Sequence, residues 1–341
     1  QVTELYNEKP EVDTSNFKTV LYTGDGGTQY ISNVGFQPDL VWIKSRNASA
    51  SHVLSDSVRG ANLKLRSNST AAEAGTDYGV VTSFDSNGFS VGGTIDTGDT
   101  NYFNRTYVAW VWKGGGDAVA GSGSGVTNVS KSVNADAGFS IVEYTGGGSA
   151  SNTVEHGFDN QTPELIIVKC ISDAAFWCVW SSQLTSNYNL ALNLTNAQFA
   201  ANSGSNGGLG DATSSDITFV SGSVNLNTVN GSGRDYIAYC FHSVSGYSKI
   251  GSYTGNSSTQ TIVTGFEPSF VMIKTINTVS NWVIFDNKRP NEYLMPSLSN
   301  AGSSSTDMVT GFVSNGFTLG ADASTAAVNS SAANYIYMAF K

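Results

Sequence analysis

Few residues in this sequence have the types and spacing that enzyme chemistry or metal binding requires. The three histidines, His52, His156 and His242, lie in no metal-ligand pattern such as HExxH, and there is no CxxC pair. There is also no GxSxG nucleophile elbow and no GxxxxGK[ST] phosphate loop. A Ser-His-Asp arrangement stays open, because its members need not be adjacent in sequence. We therefore expect a non-enzymatic protein with structural histidines, no catalytic residues and no cofactor.

Acidic side chains offer two weaker possibilities. Glycoside hydrolysis needs two carboxyl groups about 5–10 Å apart in a cleft, whereas the acids of this chain are sparse and lie at turn-like positions. The loop TIDTGDTN offers Asp96, Asp99 and Asn101 as oxygen ligands for calcium. The loop lacks the spaced acids and terminal Glu of a full calcium motif, and Asp and Asn are common turn formers. Calcium binding is therefore a weak hypothesis.

Three lysines followed by aromatic residues form a third candidate site. Each lysine ends an apolar run, and a polar turn then leads into a second apolar run, which predicts a hairpin. With the turn centred four residues after the lysine, each lysine faces the residue eight positions later. The resulting pairs are Lys44 with His52, Lys169 with Trp177, and Lys274 with Trp282. A lysine over an indole makes a cation–π contact worth roughly 0.5–1 kcal/mol.

The recurrence of these pairs favours a structural role, in which each lysine marks the point where its strand leaves the core. The alternative is a ligand-binding platform on which sugar rings stack. Its candidate residues are Trp110, Trp112, Trp177 and Trp282.

The cysteines, Cys170, Cys178 and Cys240, are odd in number and give no disulfide framework. The same hairpin register places Cys170 opposite Phe176 and Cys178 opposite Val168, which argues against a bond between the two cysteines. We expect all three to be small buried side chains.

The elements that must position these residues repeat three times along the chain. The phrase GFQPDLVWIK recurs as GFEPSFVMIK and, with three inserted residues, as GFDNQTPELIIVK. An aromatic strand ending in Tyr-Thr-Gly precedes each copy, and a strand such as YVAWVW closes it. The repeats predict an N-terminal arm and three modules. The arm is residues 1–16, and the modules are residues 17–113, 139–243 and 246–341.

The repeated strands are apolar on both faces, which is typical of strands covered on both sides by another sheet or by a neighbouring module. We therefore predict an all-β protein of three tandem β-sandwich, jelly-roll-like modules of about 100 residues each. The Gly/Ser-rich segment 114–138 is expected to be a linker that is flexible or lies loosely on the surface. The link between the second and third modules is so short that these two modules should pack against each other.

Composition excludes several classes of protein. The chain has 341 residues and 13% charged residues, about half the usual fraction. Its net charge is −10, and no segment is basic, so we expect no nucleic-acid partner. No apolar run approaches the length of about 18 residues that a membrane span needs, so we expect no membrane insertion. The acidic start is no signal peptide, and the missing initial Met indicates a fragment or a processed product.

Several phrases in combination resemble a repeat-domain family of marine bacteriophage virion structural proteins (cyanophage and pelagiphage type), often labelled tail fibre or lectin-like. In the first module these phrases are YTGDGG, GFQPDLVWIKSRN, SFDSNGFSVGG and YVAWVWKGGG. GFSIVEYTGGG and PELIIVK are similar to the second unit of the family, and GFEPSFVMIK, NWVIFD and YIYMAF to the third. The resemblance extends from Phe17 to the last residue.

The resemblance implies a structural protein on the surface of the virion, with other virion proteins and a host-surface glycan or protein receptor as partners. A tail fibre or spike for host attachment is the first expectation. A capsid decoration or head-fibre protein, a carbohydrate-binding module and a glycan depolymerase are the alternatives. The usual symmetry of phage fibres predicts a homo-oligomer, with a trimer favoured. We expect specificity where the modules differ: Ser57–Asp77, Leu184–Asp216 and Lys288–Asp307.

Overall fold

The computed structural model describes residues 15–75, 79–92, 99–203, 207–221, 226–321 and 327–341, and the rest of the predicted arm lies outside them. Every regular element in these ranges is a β-strand, and the strands pair antiparallel. The predicted all-β class is confirmed. No helix in the described ranges is long and apolar enough to cross a membrane.

Residues 17–113, called module 1 here, form two main sheets and a short two-stranded pair. The strands are β1 (Phe17–Thr23), β2 (Gln29–Ile31), β3 (Leu40–Ser45), β4 (Val53–Asp56), β5 (Leu63–Lys64), β6 (Ala74–Gly75), β7 (Val80–Asp85), β8 (Gly88–Gly92) and β9 (Thr106–Trp112). The first sheet has the order β1-β9-β3-β4, and the second has the order β2-β8-β7. The predicted hairpin is the β3–β4 pair, with Ile43 opposite Val53.

Residues 139–243, called module 2, repeat this pattern with additional strands at the sheet edges. The strands from residue 114 onward are β10 (Val119–Ala120), β11 (Gly123–Ser124), β12 (Thr127–Asn134), β13 (Phe139–Thr145), β14 (Thr153–Glu155), β15 (Leu165–Cys170), β16 (Cys178–Ser181), β17 (Tyr188–Ala191), β18 (Phe199–Ala200), β19 (Gly208–Leu209), β20 (Asp216–Val220) and β21 (Asp235–Phe241). One sheet runs β10-β12-β13-β21-β15-β16-β17-β18, and the other runs β11-β14-β20-β19.

The Gly/Ser-rich segment is therefore not a loose linker, and that expectation was wrong. Its strand β12 pairs antiparallel with β13 and extends the large sheet of module 2. Val129 and Val133 from β12, and Val126 just before it, pack against the core of module 2. These valines supply the apolar contacts that hold the strand in place despite the glycines around it.

Residues 246–341, called module 3, have the same two sheet orders as module 1. The strands are β22 (Ser248–Thr254), β23 (Gln260–Val263), β24 (Phe270–Thr275), β25 (Val283–Asp286), β26 (Glu292–Tyr293), β27 (Ser303–Ser304), β28 (Val309–Val313), β29 (Gly316–Leu319) and β30 (Asn334–Phe340). The sheets are β22-β30-β24-β25 and β23-β29-β28. The repeated orders agree with three sandwich modules, and the module boundaries stay a prediction.

The two apolar faces of the central strands belong to two different cores. In β9, Tyr107, Ala109 and Val111 join a core inside module 1. The alternate residues of the same strand join a second core that receives side chains from all three modules, called the shared core: Val108, Trp110 and Trp112. The predicted cover on both faces is therefore confirmed, and a neighbouring module supplies it on one face.

Aromatic rings fill the centre of the shared core. The ring of Trp112 lies 5.0 Å from Phe17 and 5.7 Å from Phe340, measured between centroids. Phe241 and Phe270 lie 6.3 and 5.8 Å from the same indole. All five rings are buried, and they come from the three modules together. The prediction that modules 2 and 3 pack against each other is confirmed, and module 1 packs against both.

Equivalent backbone hydrogen bonds join the modules in a cycle, which we call the three-module ring. In each module the hairpin loop after the lysine donates an N–H to a carbonyl of the preceding module, and the loop of module 1 donates to module 3. These bonds are Ala50 to Ser299, Ala175 to Thr70 and Ser280 to Thr195, each at 2.9 Å. A second set returns to the same loops: Glu73 to Ile171 (2.9 Å), Gln198 to Ile276 (2.8 Å) and Gly302 to Arg46 (2.7 Å). Six bonds thus close the ring.

Candidate functional site

The three repeated lysines are buried inside the ring and do not mark an exit from the core. Their Nζ atoms donate to the carbonyl of the following residue at 2.6–2.8 Å. Lys169 also reaches the Thr70 carbonyl of module 1 at 3.3 Å, and Lys274 reaches the Thr195 carbonyl of module 2 at 3.4 Å. Burial lowers the pKa of Lys44, of Lys169 and of Lys274 to about 8, because the charged form loses water.

The hairpin register beneath these lysines is the predicted one. Ile43 pairs with Val53, Val168 with Cys178 and Ile273 with Val283, so the next pair outward joins each lysine to its expected partner. The cation–π contacts in the described ranges involve arginines, and the expected contacts of the lysines with aromatic rings are not among them. Within the described ranges, the contacts of this kind are Arg105 over Tyr102 and Arg289 over Trp110.

The tryptophans proposed as a sugar platform are buried, and that interpretation was wrong. Trp110, Trp112, Trp177 and Trp282 are at most 1% exposed. The Trp177 indole donates to the Arg66 carbonyl of module 1, and the Trp282 indole donates to the Ala191 carbonyl of module 2, both at 2.9 Å. The apolar faces that looked available for ligands are covered by the neighbouring module.

His52 holds the equivalent place in module 1. Its Nδ1 accepts a hydrogen bond from the Trp42 indole at 3.0 Å, and its ring stacks on Trp110. Complete burial lowers the pKa of His52 well below its usual value, so the ring stays neutral. This histidine is a packing residue.

A buried polar contact occupies two of the three module boundaries. The Trp110 indole donates to Asp286 at 3.0 Å, and the Tyr239 hydroxyl donates to Asp56 at 2.7 Å. Each aspartate also binds an arginine three residues later at 2.6 Å: Arg289 with Asp286 and Arg59 with Asp56. At the third boundary the equivalent residues are Met338, Ser181 and Leu184, and the charges are absent there.

One carboxyl group has the pKa range of a general acid, as glycoside hydrolysis would need. Burial, with the nearby Asp56 carboxylate, raises the pKa of Glu143 in β13 to about 7. Asp56 cannot be the second catalytic carboxylate, because it is fully buried and held by Tyr239 and Arg59. The raised pKa of Glu143 follows from burial first and from the neighbouring acids at the boundary of modules 1 and 2 second.

Two of the three calcium candidates are used in protein contacts, and the third, Asp96, lies outside the described residues. Asp99 binds Arg66 at 3.1 Å and Lys64 at 3.6 Å, so cationic side chains already neutralise its carboxylate. The Asn101 amide accepts from the Asp25 N–H at 3.1 Å and donates to the Gly27 carbonyl at 2.8 Å. No group of three His, Cys, Asp or Glu side chains in the described ranges could hold a metal ion.

Asn101 has a repeated role that explains its burial. Asn230 and Asn329 stand at the same place in the other modules, and each carboxamide likewise ties the closing segment to the loop after Tyr-Thr-Gly. A residue that makes the same loop contact three times is part of the scaffold. Asn101 and Asp99 therefore make scaffold contacts, and calcium binding by this loop stays a prediction.

The remaining nucleophile and base candidates are buried, apart from His242, which is half-buried. The three cysteines are free and buried, which confirms the prediction of no disulfide. Burial raises the pKa of Cys178 and of Cys240 to about 12, so neither is a thiolate at neutral pH. The rings of His156 and His242 bond to backbone groups, and within the described ranges no imidazole nitrogen is hydrogen-bonded to a serine hydroxyl.

Three shallow polar clefts open on the surface. The first, of about 360 Å³, is crossed by an ion pair between Lys131 and Glu155. The other two, of about 520 and 480 Å³, lie where the chain leaves modules 1 and 2. In these, Asp39 accepts the Gly114 N–H at 2.7 Å and Glu164 accepts the Ser243 N–H at 2.6 Å. Asp39 and Glu164 thus bind the chain segments that lead from one module to the next.

One exposed feature escaped the sequence analysis: the turn just before β9, called the aromatic tip, which carries Tyr102 and Phe103. Phe103 is 62% exposed and Tyr102 47%, and the Arg105 guanidinium covers the Tyr102 ring at 4.5 Å. The equivalent turns read Gly231-Ser232 and Ser330-Ser331. Aligning NYFNR with NGSGR and NSSAA before the closing strands would have revealed the difference.

A family model described as a domain of unknown function (DUF7483) matches residues 13–341. The chain belongs to this family. No curated protein matches the DUF7483 chain. No solved structure matches it either. The matched region of this DUF7483 protein includes all three modules, so the family's unit corresponds to the whole ring.

Proposed function

We propose that this DUF7483 chain is a non-enzymatic structural protein of a phage virion, carried on a tail fibre or spike that attaches the particle to its host. The observation that supports the proposal is that the repeated residues are buried, whereas the exposed turns differ between modules. The repeated lysines, tryptophans, aspartates and arginines are buried in contacts that hold the ring together. The exposed tips differ between modules, as at Phe103, and they are free to carry recognition.

The physical character of the ring suits an exposed particle surface. The central strands are covered on both faces, and the shared core joins the modules. Local opening of one module would therefore expose core residues of the other two, which makes opening costly and proteolysis slow. The virion assignment itself rests on the resemblance of the repeated phrases.

Immunolabelling of intact particles tests the location. Antibodies against the ring should label tail fibres or spikes, and labelling of the head would indicate a decoration protein instead. Purified ring should bind host cells and compete with particles for them. Incubation with host polysaccharide should leave the chain length of the polysaccharide unchanged, and shortening would identify a depolymerase.

A mass measurement tests the expected oligomer. Phage-fibre symmetry predicts a homotrimer with other virion proteins attached. The ring already provides a threefold arrangement within one chain, so a stable monomer at micromolar concentration would contradict the homotrimer without affecting the attachment proposal.

A further inference from the structure

We propose that the aromatic tip binds a sugar ring of a host-surface polysaccharide. This inference rests on the proposed attachment function, and it names the site and the partner class. It replaces the buried tryptophans with two side chains that a ligand can reach, Tyr102 and Phe103.

The tip is held rigidly, although its rings are exposed. The Tyr102 N–H donates to the Tyr107 hydroxyl at 2.9 Å, and the Asn104 N–H donates to the Gly24 carbonyl at 2.9 Å. The Gly24 N–H returns a bond to the Arg105 carbonyl at 2.8 Å. A ligand therefore meets side chains on a backbone that is already ordered, and binding loses little backbone entropy.

The fold does not require aromatic rings at this place. The turns of the other modules make the same backbone bonds, from Gly146 to Arg234 and from Gly255 to Ala333, both at 2.8 Å. They do so with Gly231-Ser232 and with Ser330-Ser331 at the tip. Two exposed aromatic rings raise the free energy of the free protein in water, so their presence in one module points to a partner.

The size and chemistry of the tip fit a sugar better than a protein. A stable protein interface buries about 800 Å² on each partner, far more than two side chains on a projecting turn offer. A pyranose has one apolar face that an aromatic ring can cover, and hydroxyl groups that a guanidinium such as that of Arg105 can bind. Weak binding at one tip gains strength when a particle displays many copies.

The charge distribution favours the same end of the molecule. Residues 17–113 carry equal numbers of acids and bases, whereas residues 139–244 have a net charge of −6. Residues 246–341 are also neutral, so an anionic surface polysaccharide is repelled less at module 1, where the tip lies, and at module 3 than at module 2. Arg105 beside the rings adds a local positive charge.

The test compares the wild-type ring with a double variant, Tyr102→Gly with Phe103→Ser, which copies the turn of module 2. The probes are lipopolysaccharide and capsular polysaccharide extracted from a host strain, measured by surface plasmon resonance. We expect at least a tenfold loss of affinity with an unchanged melting temperature. The matched control is Val279→Ser, which removes an exposed apolar side chain from module 3 and should leave affinity unchanged.

Equal affinity of the double variant and the wild type would overturn the inference. The inference would also be overturned if the wild-type protein bound host cells but neither polysaccharide. That result would leave the attachment proposal standing. Ring that binds polysaccharide through the tip on particles labelled only at the head would support the inference and refute the tail location.

Discussion

The hydroxyl of Tyr239 in module 2 donates to the buried carboxylate of Asp56 in module 1 at 2.7 Å. Asp56 also holds Arg59, whose side chain is 1% exposed. The Asp56→Ala change should therefore leave a buried guanidinium with Glu73 as its remaining carboxylate partner and destabilise the ring by about 3 kcal/mol. Tyr239→Phe removes one hydrogen bond to this carboxylate and should cost about 2 kcal/mol. Guanidinium unfolding curves measure both.

The third module boundary provides the control for this prediction. Met338, Ser181 and Leu184 stand there in place of the tyrosine, aspartate and arginine. A triple variant with Tyr239→Met, Asp56→Ser and Arg59→Leu should recover most of the lost stability, because the charges leave together. A triple variant less stable than Asp56→Ala alone would contradict this account.

The lowered pKa of Lys274 predicts that the free energy of unfolding rises with pH. Burial lowers its pKa to about 8 from the usual 10.5, so between these values the unfolded chain binds more protons than the folded chain. Stability should increase as pH rises through this window and should not change with Lys274 below it. Melting temperatures of wild type and Lys274→Met from pH 7 to 10 isolate this term. A constant difference between the two curves would show that Lys274 does not titrate in the window.

The raised pKa of Glu143 predicts the opposite effect in a lower pH range, where the free energy of unfolding falls as pH rises. Its pKa is raised to about 7 from 4.5, so the folded chain binds the extra proton and stability falls as pH rises through this range. Glu143→Gln keeps the shape without the charge, and it should raise the melting temperature at pH 8 with little effect at pH 4.

Glu155 is the matched control in the same module. Hydrogen bonds from Lys131 and Ser122 outweigh burial and lower the pKa of Glu155, so its charge stabilises the folded state above its unfolded pKa. Glu155→Gln should therefore lower the melting temperature at pH 8. The same sign for both variants at pH 8 would contradict the assignment.

Trp112 and Trp110 should respond differently to replacement by phenylalanine. The Trp112 Nε1 is buried, and within the described ranges it has no hydrogen-bond partner. Phe241 and Phe340 fill the same place in the other modules. Trp112→Phe should thus destabilise by less than about 1.5 kcal/mol, because the lost contacts are partly offset by removal of an unsatisfied donor.

Trp110→Phe removes the donor to the buried Asp286 and replaces the indole beneath Arg289 with a smaller phenyl ring. It should cost at least about 1.5 kcal/mol more than Trp112→Phe, the lower end of the net value of a hydrogen bond to a charged group. Equal losses in calorimetry would mean that packing alone sets the contribution of both residues.

The sequence supports prediction of the strands and hairpins because their signals are local. Period-two patterning and polar turn centres predicted the pairing of Val168 with Cys178. The ring was not predictable in the same way, because an apolar strand face looks the same whether a second sheet or another module covers it. Burial of Lys44 was missed for a related reason: its partners are backbone carbonyls, which carry no sequence signal.

The candidate site shows the same limit. Tryptophan content suggested a sugar platform, yet exposure depends on contacts between residues far apart in sequence, such as Trp110 with Asp286, 176 positions away. The aromatic tip could have been found by aligning the three repeats and comparing where their aromatic residues differ. The segments predicted to carry specificity include Thr70, Thr195 and Ser299, and these residues join the modules.

The closure of the ring by module 3 onto module 1 has a consequence for inheritance. In a homotrimer a single substitution appears three times around the axis, and all three subunits must tolerate it. Here each copy is encoded separately, so a change at Phe103 appears once while Ser232 and Ser331 stay as they are. One module of the nearly threefold-symmetric ring can therefore change the residues at its tip under selection. The contacts that the other two modules make stay intact.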